Sequence, residues 1–206
     1  MNETGLLGRF LPEWGRIVGQ TQFNMYHAYT VDEHTLQAIG IINDIARGKL
    51  KTDHPVASEI VHLIADMEAL MLAMLLHDVG KLVIPAEVLN KPGKLTDEEF
   101  ALMRGHAEAG VALLKDIEFP WDVRPVVRHH HERWDGTGYP EGMAGDQIHQ
   151  FARIAAVADV YDAVTSERVY KPPKKPHEGV AIIAQGEGTD FDPEVVSVFS
   201  RVVMPF

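Results

Sequence analysis

Cysteine is absent from all 206 residues. That excludes a disulfide framework and removes thiolates from any metal site. Also missing is a run of 18 apolar residues, about the length an α-helix needs to cross a bilayer, so no membrane span is expected. The opening MNETGLLGRF has neither the basic start nor the apolar stretch of a secretory signal. With the missing cysteines, this points to the cytoplasm. Basic residues are in the minority, 19 Lys and Arg against 30 Asp and Glu, for a formal charge of −11. A protein that grips duplex nucleic acid normally carries the opposite sign, so duplex binding is not expected. A phosphorylated small molecule is still compatible, because metal ions and a few local cations can offset the field. Strand-like alternation and internal repeats are lacking too.

What is there is apolar helix. Hydrophobic residues make up 46% of the chain, enough for the core of one domain at this length. Residues 1–26 read as an irregular leader packing on the body, with a short helix near 12–20, and 27–206 as the domain itself. The spacing of Leu36, Ile39, Ile42 and Ile45 predicts a helix over 31–48, with Asp32 and Glu33 in its first turn. The stretch 56–78 predicts a long helix, apolar nearly all round from Ala65, around which the others should gather. Pro85 starts a short helix. Thr96 and Glu99 have capping-box spacing and predict a helix running to about Asp116. Further helices are expected over about 122–131, 148–166 and 176–185. A last one over 193–203 has Asp192 as its cap and Pro193 at its first position. Between them lie a glycine-rich loop at 133–145 and a cationic, proline-rich loop at 167–176. The fold class is all-α, about eight helices in a bundle.

The chemistry gathers at the ends of these helices. His77 and Asp78 close the apolar run, where an imidazole and a carboxylate are costly unless paired. Alone, the pair reads first as a hydrogen bond capping a core helix, and it is the rest of the chain that reverses this. His34, His106, His130, His131 and Asp159 add donors of the same kind, each on or near a predicted helix end. Taken alone, His34 is an ordinary partly buried histidine. Adjacent helical residues point about 100° apart, so His130 and His131 can share a site only at a helix end or across two ions. A donor set of nitrogen and oxygen suits iron, manganese, cobalt or zinc.

Several blocks carry a resemblance. HDVGKLVIP (77–85), VLNKPGKLTDEE (88–99), MRGH (103–106), HHERWDGTGYP (130–140), ARIAAVADVYDAVTSERVYK (152–171) and the later FDPEVV together resemble an HD-GYP domain, a branch of the HD phosphohydrolase superfamily. The likeness covers about two thirds of the chain. The stretch YTVDEHTLQAIG (29–40), and residues 1–76 more broadly, are similar instead to the HD domain of the PII uridylyltransferase/uridylyl-removing enzymes. The two likenesses meet at His77-Asp78, so the chain reads as a mosaic of two branches of one superfamily.

The resemblance implies an HD-superfamily helical bundle with a buried metal site. It implies a phosphodiesterase that hydrolyses cyclic di-GMP to linear pGpG, with the final product either pGpG or GMP. Carried over by position, His34, His77, Asp78 and Asp159 would hold one divalent ion. Asp78, His106, His130 and His131 would hold a second, with Asp78 as the bridge and iron or manganese ahead of zinc, cobalt or nickel. Some members hold a third ion with a glutamate one turn before the first histidine; here that position is Thr30, so two ions are expected. Lys81 would face the reacting phosphate, and Arg168 and Lys171 the substrate phosphates. Tyr139 would shape the pocket, although Gly-Tyr-Pro is also a rigid turn by its own chemistry. Arg168 and Lys171 read equally as a solvated basic loop. The alternatives are removal of a uridylyl group from a small signalling-protein partner, and a nucleotide-binding signalling module without turnover.

Overall fold

The computed structural model of the chain describes residues 66–91, 93–166 and 172–203. The leader, the helix expected at 31–48 and the first part of that expected at 56–78 lie outside them, as do His34, Thr30, Arg168 and Lys171. The described residues form eight α-helices: α1 Met67–Leu76, α2 Ala86–Leu89, α3 Asp97–Arg104, α4 His106–Leu114, α5 Arg124–His129, α6 Gln150–Thr165, α7 Pro176–Gln185 and α8 Pro193–Val203. Short 3-10 turns at Val79–Val83 and Gly145–Gln147 complete them. Extended pairing among these residues is limited to two isolated bridges, Asp135 with Ala144 and Glu187 with Phe191. No helix among them is long and apolar enough to cross a membrane.

Local signals set most of these elements. Thr96 Oγ1 accepts from Glu99 N at 3.3 Å and Glu99 Oε2 accepts from Thr96 N at 2.7 Å, so the reciprocal cap forms as expected. Asp192 Oδ1 takes the N–H of Glu194 at 2.8 Å and starts α8.

One expectation is corrected. The single helix from Thr96 to about Asp116 is two helices, α3 and α4, divided at Gly105. Glycine is the weakest ordinary helix former, and its N–H bonds back three residues to Leu102 O at 3.0 Å, tightening the last turn of α3. The break makes His106 the first residue of α4. The helix expected over 122–131 is shorter too, leaving His130 as its C-terminal cap and His131 beyond it.

Two clusters hold the elements together. Ala73 and Leu76 of α1 meet Val79, Leu114, Val126, Val127 and Ala155 in one buried core. Val157, Ile183, Phe191 and Val196 form a second. α6 supplies residues to both and so joins them.

The approach of the Val79–Val83 turn to α4 is closer than any side chain allows. A Cβ at Gly80 would fall 1.8 Å from the carbonyl oxygen of His106 and 2.5 Å from the nitrogen of Gly110. Glycine here brings the chain carrying Asp78 and Lys81 against the helix carrying His106.

Candidate metal centre

His77 and Asp78 follow directly on α1. His106 opens α4, and His130 and His131 follow α5. Three of the four histidines are oriented alike. His77 Nδ1 lies 2.7 Å from Met74 O and His106 Nδ1 2.7 Å from Met103 O. His130 Nδ1 lies 3.0 Å from Val127 O and 3.2 Å from Val126 O. A carbonyl only accepts, so each Nδ1 carries the proton and donates it. In the neutral rings of His106 and His130 the Nε2 is thereby left with an outward lone pair, the tautomer a metal ligand needs.

The Nε2 atoms of all three rings converge on Asp78. Its Oδ1 lies 3.5 Å from His106 Nε2 and 3.9 Å from His130 Nε2. Its Oδ2 lies 3.4 Å from His77 Nε2 and 2.5 Å from Lys81 Nζ. Oδ1 is buried and accepts no hydrogen bond. A buried carboxylate oxygen without a partner is costly, and a cation among these donors would satisfy it. Asp78, His106, His130 and His131 each offer one ligand atom, all within 4.8 Å of one another. Three imidazoles and a carboxylate fit a divalent first-row ion.

The electrostatics are those of a buried polar cluster. Burial lowers the pKa of His106 and pushes that of His130 well down, with neighbouring imidazoles adding to it. His131 is held at about 3 by burial and by His106. These rings are therefore neutral donors at neutral pH. His77 goes the other way: burial opposes its charge, but the carboxylates of Asp78 and Asp159 outweigh it and raise its pKa to about 9. Burial also opposes ionisation of Asp78, yet Lys81, His77 and His106 hold its carboxyl well below the usual range.

Asp159 projects from α6 and acts on His77 and Tyr139 through its charge, outside the four-residue cluster. Tyr139 stacks on His131, ring centroids 4.8 Å apart and planes 24° apart. Burial, with Asp78 and Asp159 nearby, pushes its phenol up, so it stays protonated at neutral pH.

Two residues were not singled out in the sequence. Glu132 is 3% exposed. Its Oε1 accepts from Glu141 N at 2.7 Å and Gly142 N at 3.1 Å, and its Oε2 from Met143 N at 3.0 Å. It ties down the glycine-rich loop that carries Tyr139. The loop folds back so closely that a Cβ at Gly138 would fall 2.5 Å from Glu132 Cα. Arg104, at the end of α3, lies over the Tyr139 ring at 4.7 Å and over the Phe100 ring at 5.0 Å. Neither Glu132 nor Arg104 carried a sequence signal for these contacts.

The family model of the HD domain matches residues 64–195. A cyclic di-GMP phosphodiesterase of Pseudomonas aeruginosa is 50% identical over 133 residues, 64% of this chain and 32% of that protein. A bifunctional uridylyltransferase/uridylyl-removing enzyme of Phenylobacterium zucineum is 70% identical over 81 residues, 39% of this chain and 9% of that protein. The chain thus spans about a third or less of the length of these relatives. Among solved structures, an HDG"Y"P protein from Bdellovibrio bacteriovorus has the same fold, with a TM-score of 0.58 at 20% identity, covering 84% of this chain and 52% of that one.

Proposed function

The chain belongs to the HD domain family, and on that premise we propose that it is a metal-dependent phosphodiesterase opening cyclic di-GMP to linear pGpG and then GMP. One observation carries the metal dependence: the buried Oδ1 of Asp78 has no hydrogen bond, and Nε2 atoms of neutral histidines face it. The substrate rests on the relative that is 50% identical and named for that activity.

In this reading Asp78, His106, His130 and His131 hold one divalent ion. His77, Asp78 and Asp159, with His34, hold a second. The split of Asp78, with Oδ1 toward His106 and His130 and Oδ2 toward His77, supports its role as the shared ligand. Thr30 stands where a third ion would need a glutamate, so the number is two. Iron or manganese suits the all-nitrogen and oxygen donor set. When bound, the ions supply Lewis acidity, lowering the pKa of water and offsetting charge on the phosphoryl oxygens.

The chain's own groups do the rest. Lys81 Nζ, beside Asp78, stabilises charge that develops on the phosphoryl oxygens. Water forms the new bond to phosphorus and gives up a proton to solvent, the bond to the ribose 3′ oxygen breaks, and that oxygen takes a proton from Lys81, which regains one from solvent. Tyr139, stacked on His131, closes one side of the cluster. Arg168 and Lys171 bind the second phosphate.

The test is product analysis. The full chain, loaded with manganese or with ferrous iron under anaerobic conditions, is incubated with cyclic di-GMP and the nucleotides are separated by chromatography. Linear pGpG is expected. No product with either ion, from protein shown to contain it, overturns the reading.

A second reading is favoured by the 81-residue match at 70% identity. It is hydrolysis of a uridylyl group from a tyrosine of a small signalling protein. Release of UMP from such a modified protein, with no opening of cyclic di-GMP, would establish it instead.

A further inference from the structure

The aromatic contacts around the cluster form a continuous ladder. His131, one of the four clustered residues, stacks on Tyr139. Arg104 lies over Tyr139, and over Phe100 as well. The ladder runs from the cluster to the surface, where Phe100 is 46% exposed. Arg104 is exposed too, and makes no ion pair among the described residues.

A guanidinium lying over aromatic rings has its flat face occupied while its in-plane N–H donors remain available. That geometry suits a planar pair of acceptors presented edge-on. Guanine offers such a pair in O6 and N7, and adenine does not, because a donor replaces O6. Phe100 beside it, 46% exposed, is an aromatic ring on which a purine can stack. The reacting phosphate has its own partners nearer the centre, in Lys81 and the clustered ligands.

We propose, resting on the dinucleotide reading above, that Arg104 is a specificity determinant: it grips the O6/N7 edge of one guanine of the substrate while Phe100 stacks on that base. Tyr139 is the link that fixes the distance from this base site to the cluster. Selection of guanine over adenine is then set by one arginine on α3, away from the reacting bond.

The experiment is equilibrium binding of hydrolysis-resistant phosphorothioate forms of cyclic di-GMP and cyclic di-AMP to the metal-loaded full chain and to Arg104→Ala and Arg104→Lys variants. The two ligands have the same charge and ring and differ in their bases. The parent is expected to prefer cyclic di-GMP. Arg104→Ala should weaken cyclic di-GMP by about ten-fold or more, the value of one lost bidentate contact, and leave cyclic di-AMP within about two-fold. Arg104→Lys should keep the charge and still lose the preference. Equal weakening for both ligands would make Arg104 a phosphate contact and overturn the proposal. So would a parent without preference, or a parent that binds neither ligand. A parent that binds with an Arg104-dependent preference but hydrolyses no dinucleotide would overturn the phosphodiesterase reading alone.

Discussion

The Nε2 atoms of His106 and His130 face each other at 3.3 Å, and both rings have their Nδ1 protons committed to main-chain carbonyls. Two lone pairs at that distance repel. A proton is an expensive remedy, because burial lowers the pKa of both rings. A divalent cation beside Asp78 relieves the repulsion and the unpartnered carboxylate oxygen together.

Adding manganese or zinc to chelator-treated protein is therefore expected to raise its melting temperature. A ligand at about 100 times its Kd adds about 2.7 kcal/mol to stability. His130→Ala should remove most of that gain. Differential scanning fluorimetry reads both, and an equal shift in parent and variant would count against the cluster as the binding site.

Asp78→Asn keeps the shape of the side chain and removes the charge. Because both oxygens of Asp78 face other site residues, this variant should lose metal at both positions. Elemental analysis is the measurement, and two ions per chain in the purified variant would contradict the bridging role.

Lys81→Ala should separate charge from assembly. Lys81 contacts Asp78 Oδ2 but is not one of the residues that offer a ligand atom to the cluster. Metal content should hold while kcat falls by ~10²-fold, as when other electrostatic stabilisers are removed. Lost metal content would place Lys81 among the groups that build the site.

Glu132→Gln tests the loop. Glu132 accepts three main-chain N–H groups with two oxygens. An amide turns one of those oxygens into a donor facing another donor. The expected cost is about 1–3 kcal/mol, the range for a buried polar group left unsatisfied. Urea denaturation measures it, and hydrogen exchange at 139–144 should accelerate. Unchanged exchange would mean that other contacts hold the loop.

Gly80→Ala should be destabilising by about 3 kcal/mol, in the upper range for overpacking, since its Cβ would overlap the main chain of α4. The same variant should weaken metal binding, because the overlap pushes Asp78 away from His106. A variant as stable as the parent would show that this approach is relaxed in solution.

The sequence alone determined what depends on short range. The caps at Thr96 and Asp192, the placement of most helices and the polar residues at their ends follow from hydrogen bonds and periodicity within a few residues. The resemblance picked out Asp78, His106, His130 and His131, four residues that the structure brings within 4.8 Å at their ligand atoms. The tertiary structure decided the rest, because it turns on contacts between distant segments. Thr96 to Asp116 carries a helical pattern throughout, and only the folded chain shows that it divides at Gly105, opens α4 at His106 and sets that helix against Gly80. Asp159 has the composition of a ligand, and the course of α6 places it where its charge acts on His77 and Tyr139. Glu132 has the same composition, but the loop folding over it turns its carboxylate to main-chain N–H groups. Arg104 meets Tyr139 because α3 ends beside that loop, a relation between segments that local periodicity does not encode.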